Sequence, residues 1–487
     1  MQSLLRPLPG LVIAVAAALV GCQSPSDDTT RDSAPAALDL QSGADRPGAP
    51  TDTAYATFDD VWSTVDTRHF DPEHNGVDWD AVRATYRPMI ASTRTDAEVR
   101  TVLTSMLQEL GQTHFVIIPG DVAAAETDGG VATADAATEE TTDDGDPGTA
   151  GLRFEWRMDD AIVAAVEPGS SAERAGVRPG WVVSTVDGED VESRLVALRR
   201  FARESSSPMA EYEALARLNA RLTRPVGETI RIGFLDGNDE TVEVDLEFEE
   251  TEGVPVRFGM LPEMKTRIRS RVLTPVELER WGVRPGPEGW PEIVVVTFNV
   301  WMFPIMSPIA RIVDEHRDAD GFILDLRGNP GGLGALAMGV AGHFMGESES
   351  LGRLEQRDGT MNFTVNPQRA TSDGRLVEPF AGPVVIVTDQ LSASTSEIFA
   401  AGLQQLGRAS VVGRRSAGAA LPAHWSELPN GDTFLYAIAD FIGPAGESIE
   451  GSGVVPDRLV TIQRERLLAE GDPELAEATR LILETDA

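Results

Sequence analysis

Residues 293–412 alternate short apolar, β-branched runs with segments whose apolar residues have helical spacing. The runs Ile293–Phe298, Gly321–Leu326 and Val384–Val387 predict strands, and helices are predicted between and after them. A strand, a helix and a second strand form a right-handed crossover that leaves the two strands parallel in one sheet. This stretch therefore predicts an α/β fold with a mostly parallel sheet.

Two turns follow the predicted strands. Residues 327–332 read Arg-Gly-Asn-Pro-Gly-Gly, and residues 392–397 read Ser-Ala-Ser-Thr-Ser-Glu at the start of a predicted helix. One interpretation makes Ser394 the N-cap of that helix, with Glu397 completing a capping box. The other makes a hydroxyl of this turn a nucleophile, because N–H groups at a helix N-terminus stabilise developing negative charge. From the spacing alone the cap is the simpler interpretation.

The charge balance excludes some classes of partner. The chain has 487 residues, and 78 acidic against 41 basic residues give a formal net charge of −37. Such a surface repels phosphate, which argues against nucleic acid or an anionic membrane surface as the partner. The length predicts two or three domains.

The N-terminus resembles a bacterial lipoprotein signal. An apolar run, Leu11–Val20, is too short to span a bilayer and precedes Gly21 and Cys22, the single cysteine of the chain. In the lipobox, which residues 19–22 resemble, Cys22 is lipidated and becomes the mature N-terminus. The alternative is an ordinary signal peptide with an incidental cysteine. Gln23 then implies a lipid-anchored protein of the cell envelope, in the outer membrane and facing the periplasm.

Residues 151–250 have the alternation and turns typical of short strands. The region resembles a PDZ domain of the bacterial protease type. Such domains bind an extended chain end by adding it to a sheet edge. A helical insertion predicted over about 194–222 lies where these domains have a short helix, and it would alter or cover the peptide groove. The segment in the place of the carboxylate-binding loop is Gly151, Leu152, Arg153 and Phe154.

Two separated motifs resemble those of the S41 serine peptidases. They are Gly321–Gly332, GFILDLRGNPGG, and Ser392–Ala401, SASTSEIFAA. The resemblance spans nearly all of residues 55–470. It implies a multidomain α/β protein in which an N-terminal helical domain and the PDZ domain precede a crotonase-like (ClpP/crotonase) core. The implied activity is that of a serine-type endopeptidase, with no cofactor and no metal.

The motif positions imply the attacking group and the oxyanion donors. The nucleophile falls on Ser394. The donors would be the backbone N–H of Thr395 and that of Gly331 or Gly332, because glycines allow the close backbone approach that an oxyanion needs.

A serine hydroxyl also needs a base. Processing peptidases of the family use a lysine, whose position here falls on Ala419. The single lysine of the chain, Lys265, lies outside the family motifs, and arginine does not deprotonate in proteins. Other branches of the family use a histidine and an acid, which the resemblance places on His114 and Glu450. The prediction is a Ser–His–Glu arrangement rather than Ser–Lys, with His424 as the second candidate base.

These observations give a predicted division of the chain. It consists of a lipoprotein signal peptide over 1–22, a disordered tether over 23–52, an N-terminal helical domain over 53–120, an acidic disordered linker over 121–150, a PDZ-like domain over 151–250, a connecting segment over 251–290 and the peptidase core with a C-terminal helix over 291–487.

Three functions remain open on the sequence. The first is a peptidase that cleaves unfolded or C-terminally presented polypeptides, with tails bound by the PDZ domain and the membrane reached through the lipid on Cys22. The second is a non-catalytic peptide-binding protein on the same scaffold. The third is an acyl hydrolase acting on small esters, which fold class alone does not separate from a peptidase. The oligomeric state is left open.

Overall fold

The computed structural model describes residues 52–120, 147–157, 160–204, 209–257 and 263–485. The predicted signal peptide, Cys22, the tether and most of the acidic linker lie outside the described residues. Across the described ranges, the helices are too short or too polar for any of them to span a bilayer.

Three helices form the N-terminal part, which the sequence predicts as a helical domain. They are α1 (Asp52–Arg68), α2 (Trp79–Tyr86) and α3 (Asp96–Gln108). A capping box starts α3, in which Thr95 and Glu98 each accept the other's backbone N–H. The strand β1 (Val116–Ile118) follows and pairs antiparallel with β21 (Thr433–Ala437) near the far end of the chain. This pairing fastens the helical part to the core.

The second part, called the β-domain below, spans residues 147–250. An antiparallel sheet runs in the order β3-β4-β5-β8-β9, with β6 beside β5, and β10, β2 and β7 form a smaller sheet. The predicted helical insertion is present as two helices. Since β2 begins at Pro147, the β-domain starts inside the segment predicted as linker. The elements are β2 (Pro147–Thr149), β3 (Leu152–Arg157), β4 (Asp160–Val166), α4 (Ser171–Arg174), β5 (Val182–Val186), β6 (Glu189–Asp190), α5 (Glu192–Glu204), α6 (Ala210–Asn219), β7 (Thr223–Pro225), β8 (Thr229–Leu235), β9 (Thr241–Glu247) and β10 (Glu249–Glu250).

The third part is the α/β core. Its elements are β11 (Val254–Val256), β12 (Met264–Thr266), β13 (Ile268–Val272), α7 (Pro275–Arg280), β14 (Ile293–Phe298), α8 (Met306–Glu315), β15 (Gly321–Asp325), α9 (Ala335–Ala341), β16 (Ser350–Gln356), β17 (Gly359–Thr364), β18 (Val384–Thr388), α10 (Thr395–Gln405), β19 (Ser410–Gly413), β20 (Ala423–Glu427), β21, β22 (Asp440–Ile442), β23 (Arg458–Leu459), α11 (Arg464–Glu470) and α12 (Pro473–Thr485).

The central sheet has the order β13-β14-β15-β18-β19-β23. All of its pairs are parallel except β13 with β14, so the predicted parallel sheet is confirmed. The segment predicted as a connection, 251–290, contributes β13 to this sheet. Its boundary at 291 was therefore wrong, because β13 is an edge strand whose exposed arginines, Arg269 and Arg271, hide the apolar signal of a core strand.

Both faces of the central sheet are buried. Alternate residues of β14, β15 and β18 face opposite sides, Val294, Phe322 and Ile386 packing with α8, α9 and α10. The other side packs against α7 and α12, whose Leu278 and Ile482 are fully buried. Burial on both faces explains the continuous apolar runs in the sequence. The two motif turns lie together after β15 and β18, at the carboxyl edge of this parallel sheet.

Candidate active site

The turn between β18 and α10 holds the predicted nucleophile. Ser394 directly precedes α10 and has φ 57° and ψ −118°, a backbone conformation that non-glycine residues rarely adopt. The residue is fully buried, and within the described ranges its Oγ has no hydrogen-bond partner. Ser394 is the N-cap residue of α10 and Glu397 accepts its N–H, as the capping-box interpretation predicts, but the Ser394 Oγ makes no cap bond of its own. Strain and an unpartnered hydroxyl together mark Ser394 as a candidate for chemistry.

Glu397 holds the backbone of this turn. Its carboxylate Oε2 accepts the N–H of Ser394 and the N–H of Ala419, both at 2.9 Å. Its Oε1 accepts from Ser416 Oγ at 2.6 Å and from the N–H of Gly418 at 2.7 Å. Burial raises the pKa of Glu397, and these four donors act against that rise. The carboxylate thus ties the strained serine to the loop at 416–419.

The glycine turn packs directly against the nucleophile. A Cβ on Gly331, which has φ +105°, would lie 2.6 Å from the Cβ of Ser394 and 3.0 Å from the N of Thr395. A Cβ on Gly332 would lie 2.4 Å from the carbonyl oxygen of Trp301. Both positions therefore require glycine, which explains the double glycine of the motif.

The predicted oxyanion donors are not equivalent. Thr395 is the first residue of α10, where backbone N–H groups have no intrahelical acceptor. The Gly331 N–H is committed, since it donates to Asn329 Oδ1 at 3.0 Å. The hydrogen bonds described around Gly332 use its carbonyl oxygen, which accepts from Thr395 Oγ1 at 3.0 Å. Of the two predicted glycines, Gly332 is thus the one whose N–H is not committed to Asn329.

The predicted base lies at the end of the helical part. His114 has φ 63°, and its Nδ1 is 2.7 Å from the hydroxyl of Thr113. That hydroxyl donates to Glu450 Oε2 at 3.0 Å, and the Thr113 N–H donates to Glu450 Oε1 at 2.7 Å. Because the hydroxyl proton is used on the carboxylate, the hydroxyl oxygen accepts from His114 Nδ1–H. This tautomer leaves Nε2 with the lone pair that a general base needs.

Thr113 is the residue that the sequence analysis missed. Glu450 was predicted to orient the imidazole, and in the structure the Thr113 hydroxyl lies between the Glu450 carboxylate and His114 Nδ1. A hydroxyl residue directly before the candidate base was the available signal. Its significance depends on the position of Glu450, which is 337 residues away in the sequence.

Glu450 also joins the base to the nucleophile turn. Its Oε2 accepts the N–H of Ala420 at 3.1 Å, and the carbonyl oxygen of Ala419 accepts the N–H of Ser394 at 2.8 Å. One hydrogen-bonded chain therefore runs from His114 to the backbone of Ser394. The final bond of a triad, from Ser394 Oγ to a histidine, is not formed here, and catalytic bonds often form only in the substrate complex.

Burial sets the electrostatics of these groups. It lowers the pKa of His114 to about 4, because a buried imidazolium loses its hydration. It raises the pKa of Glu450 to about 7, although Thr113 and Ala420 donate hydrogen bonds to the carboxylate. The imidazole is consequently neutral at pH 7, and the carboxylate titrates near neutrality.

The family comparison agrees with this geometry. The model of peptidase family S41 matches residues 296–460, which include Ser394, the glycine turn and Glu450. Residues 296–460 therefore form a peptidase domain of family S41. The model of the tricorn protease C1 domain matches residues 52–108, the three helices of the N-terminal part. The chain is thus a serine-type peptidase with an S41 domain.

Relatives of this S41 peptidase extend along most of the chain. The carboxyl-terminal-processing protease of Synechocystis sp. is 24% identical over 404 residues, covering 82% of this chain and 79% of that one. The chloroplastic carboxyl-terminal-processing peptidase 3 of Arabidopsis thaliana is 24% identical over 418 residues, covering 83% and 68%.

Solved structures share the fold of the S41 peptidase. The photosystem II D1 C-terminal processing protease has a TM-score of 0.52 at 20% identity, covering 88% of this chain and 97% of that one. Mature CPAF has a TM-score of 0.54 at 12% identity, covering 89% and 98%. The multidomain α/β arrangement is therefore that of S41 proteases.

The lysine of the processing branch has no counterpart at this site. Ala419 occupies its predicted position, is buried and uses its backbone to hold Ser394. Lys265 lies on β12, where its Nζ is 2.6 Å from Glu250 Oε1. The side chain that could replace the lysine is thus engaged elsewhere.

The second candidate base makes a different contact. His424 lies on β20, and its Nδ1 is 2.7 Å from the carbonyl oxygen of Trp425, so Nδ1 carries the proton. Its ring packs beside Tyr436 on the neighbouring strand. The described hydrogen bonds give His424 no carboxylate or hydroxyl to orient it, whereas His114 has Thr113 and Glu450.

The predicted peptide-binding segment is engaged within the chain. Gly151 has φ +74°, and a Cβ there would lie 2.1 Å from the Cβ of Ser170. Arg153 Nη1 donates to Asp389 Oδ2 at 2.5 Å. Leu152 packs at the edge of the β-domain core. The N–H of Phe154 donates to Asn219 Oδ1 of α6 at 2.7 Å, and the Phe154 carbonyl oxygen accepts from Asn219 Nδ2 at 3.0 Å.

A buried ion cluster lies behind the catalytic turns. Asp389 accepts from the N–H of Gly328 in the glycine turn and from Ser392 Oγ in the nucleophile turn. Arg414 bonds Glu155 of β3 and Glu474 of α12. The cluster thereby joins the β-domain, both turns and the last helix. Its members are Arg153, Glu155, Asp325, Arg327, Asp389, Arg414, Asp472 and Glu474.

Proposed function

We propose that this S41 peptidase cleaves unfolded or C-terminally presented polypeptides through Ser394, His114, Thr113 and Glu450. The observation that carries the proposal is the hydrogen-bonded chain from His114 through Thr113 to Glu450. It supplies an oriented base in a protein whose lysine position is Ala419. The names of the relatives support polypeptide carboxyl ends as the substrate class.

The chemistry follows from these positions. Ser394 Oγ attacks the scissile carbonyl carbon while His114 Nε2 takes its proton. The imidazolium keeps the hydrogen bond from its Nδ1–H to the Thr113 hydroxyl, and that hydroxyl donates to ionised Glu450. The hydroxyl therefore links the new positive charge to a carboxylate that stabilises it. The oxyanion is stabilised by the N–H of Thr395 and that of Gly332, or of Gly331 if its bond to Asn329 opens.

The proton then returns to the leaving amine, and the first product departs. The acyl group remains as an ester on Ser394. Water attacks this ester as His114 takes a proton from it, and collapse of the second intermediate restores the serine hydroxyl and releases the new carboxylate.

The experiment is casein digestion by residues 23–487 of wild type, Ser394→Ala, His114→Ala and His424→Ala. Wild type and His424→Ala should cleave, and the other two should lose nearly all activity. If His424→Ala is inactive while His114→Ala cleaves, the base is His424. If wild type binds casein without cleaving it, the protein is a peptide-binding scaffold. Turnover of a nitrophenyl ester without casein cleavage would instead favour the small-ester hydrolase.

A second comparison tests the role assigned to Thr113. Thr113→Val keeps the shape of the side chain and removes the hydroxyl, so His114 loses its only described route to Glu450. We expect kcat to fall by about 10²-fold, the range for a mispositioned general base, with KM little changed. Thr113→Ser restores the hydroxyl and should recover most of kcat. Equal kcat values for Thr113→Val and wild type would remove Thr113 from the mechanism.

The architecture proposed with this function has three parts. The β-domain is PDZ-like, which its antiparallel sheet with an open edge at β3 supports. The parallel core is crotonase-like.

Cys22 is lipidated and anchors the peptidase at the outer membrane facing the periplasm, as the order of residues 19–23 suggests. Mass spectrometry of the N-terminal peptide should find lipid on Cys22, and an unmodified cysteine would refute the anchor.

A further inference from the structure

We propose that His69 is a positioning residue for the catalytic base, and that it acts by fixing the strained segment 111–115. The role rests on the proposed function and deepens it, because it brings into the same active site a histidine that lies outside both S41 motifs. The backbone of the segment, a hydrogen bond to Gln112 and ring stacking on Phe115 carry this proposal.

The segment that contains the base depends on support from its surroundings. Residues 111–115 form an irregular connection between α3 and β1, in which Gly111 has φ +61° and His114 has φ 63°. A positive φ on a non-glycine residue is unfavourable and persists only where the surrounding structure holds it. The bonds from Thr113 to Glu450 supply one set of such contacts, from the core. A second set comes from the helical part of the chain.

His69 bonds the residue that precedes Thr113. Its Nε2 is 2.8 Å from Gln112 Oε1, and the Asp71 N–H donates to its Nδ1 at 3.0 Å. The ring proton is then on Nε2, which donates to the amide oxygen of Gln112. The other neutral tautomer would let Nδ1 donate to the Asp71 carbonyl oxygen at 2.9 Å, but it sets the Nε2 lone pair against the Gln112 oxygen. Burial lowers the pKa of His69, so the ring is neutral at pH 7.

The ring of His69 also packs on the residue that follows His114. The planes of the His69 and Phe115 rings differ by 4°, and their centroids are 5.5 Å apart. His69 is fully buried and directly follows α1, so its side chain is held by the packed helical part. One buried side chain thus contacts the residues before and after the Thr113–His114 pair. These contacts limit the backbone rotations that would turn the base out of its position.

The loop that follows His69 supports the same segment. The Asp71 carboxylate shapes this loop by accepting the N–H of Asn75 at 2.8 Å, and Asn75 Nδ2 donates to the carbonyl oxygen of Leu110 at 2.8 Å. Leu110 directly precedes Gly111. The loop therefore holds the start of the segment, while His69 holds its middle and its end.

The test compares Gln112→Met with Gln112→Glu in residues 23–487, with labelling of Ser394 by a fluorophosphonate as the readout. Gln112 is half-buried, so changes there spare the core around the fully buried His69. Methionine removes the acceptor for His69 Nε2–H at similar length, whereas glutamate keeps an oxygen there. We expect Gln112→Met to label roughly tenfold more slowly than wild type, the effect of one lost hydrogen bond, and Gln112→Glu to label near the wild-type rate. With casein as substrate, the loss should fall on kcat with KM little changed.

Three further variants separate positioning of the base from general support of the fold. Gln108→Met, at an exposed glutamine of α3, is the matched control and should label at the wild-type rate. In a His114→Ala background, Gln112→Met should cause no further slowing, because a residue that acts through His114 has no effect once that imidazole is absent. His69→Phe keeps a ring beside Phe115 and removes the donor, so adding Gln112→Met to it should also cause no further slowing.

Three results would overturn the inference. They are wild-type labelling by Gln112→Met, equal slowing by Gln112→Met with and without His114, and equal slowing by Gln112→Glu and Gln112→Met. If cleavage still depends on Ser394 and His114, the proposed function survives these results. If His114→Ala labels and cleaves at the wild-type rate, His114 is not the base, and the proposed mechanism fails together with the role of His69.

Discussion

At the scale of single residues, the site depends on Ser394, whose backbone has φ 57° and whose N–H is held by Glu397 and by the carbonyl oxygen of Ala419. Ser394 and the double glycine were predicted because they lie in the two motifs of the S41 resemblance, and the structure brings those two turns into contact. Thr113 was missed because its role depends on a carboxylate that only folding brings near. The cap interpretation of Ser394 is correct for the backbone N–H, which Glu397 accepts, and not for the Ser394 hydroxyl. The spacing predicts a cap, but it does not contain the φ of 57° that this residue adopts.

The pH dependence of catalysis should report Glu450. Above pH about 4 the imidazole of His114 is neutral, while Glu450 becomes negative only as pH rises through about 7. We expect kcat/KM, measured from pH 5 to 9, to rise through pH 7 in wild type. Glu450→Gln should lower the upper plateau by about 10²-fold and abolish the rise, because no carboxylate remains to face the imidazolium.

The same shift affects stability with a defined sign. A carboxyl group whose pKa is raised by folding stabilises the protein below its unfolded pKa, and this contribution is lost as pH rises through the folded value near 7. Glu450→Gln should therefore gain stability relative to wild type between pH 6 and 8 in thermal unfolding.

For the kinetic prediction, a rise in kcat/KM with pH that persists in Glu450→Gln would assign that titration to another group.

Among the elements, the two turns at the end of the parallel sheet determine the site. The strands before them were predicted within a residue or two, because buried parallel strands are continuous apolar runs. The edge strand β13 was not predicted, since its alternating arginines resemble a polar connection. The contact between the two turns could not be read from either segment alone, and it explains why residue 331 must be glycine.

Gly331→Ala should inactivate the enzyme. An alanine there needs an unfavourable φ of +105° and brings its Cβ within 2.6 Å of the Ser394 Cβ, so the nucleophile must move. We expect a loss of more than about 10²-fold in kcat/KM, since small displacements of reacting groups have effects of that size. Gly328→Ala is the matched control in the same turn. Its φ is +72° and its Cβ meets nothing within 4 Å, so it should retain most activity.

Either of two results would contradict this explanation. Gly331→Ala with wild-type activity would show that the turn is not rigid against Ser394. Equal loss of activity in both variants would attribute the effect to backbone strain alone rather than to the contact with the nucleophile.

At the scale of the whole molecule, the ion cluster behind the site joins parts that are far apart in sequence. Arg414 is 8% exposed, and Glu155 of the β-domain is 1% exposed. The sequence shows these charges but not their partners, because each lies in a different segment. The buried carboxylates of this cluster give Arg327 and Arg414 charged partners, so these arginines can lie inside the core.

Glu155→Gln should destabilise the protein substantially. It leaves a buried guanidinium with less compensating charge, which costs about 3 kcal/mol when one partner of a buried pair is removed. Urea unfolding should show the loss as a lower midpoint. Glu189→Gln, which removes the carboxylate of an exposed pair with Arg221, should leave the midpoint unchanged. Similar midpoints for both variants would mean that the cluster contributes little to the docking of the β-domain.

The bond between Thr113 and Glu450 also has a consequence for the life of the chain in the cell. Synthesis proceeds from the N-terminus, so the base is made early, the nucleophile later and the carboxylate later still. A ribosome-bound or truncated chain that ends before residue 450 can contain both Ser394 and His114 without the group that orients them. On the proposed mechanism, we expect proteolytic activity only after residue 450 has been synthesised and has folded against Thr113.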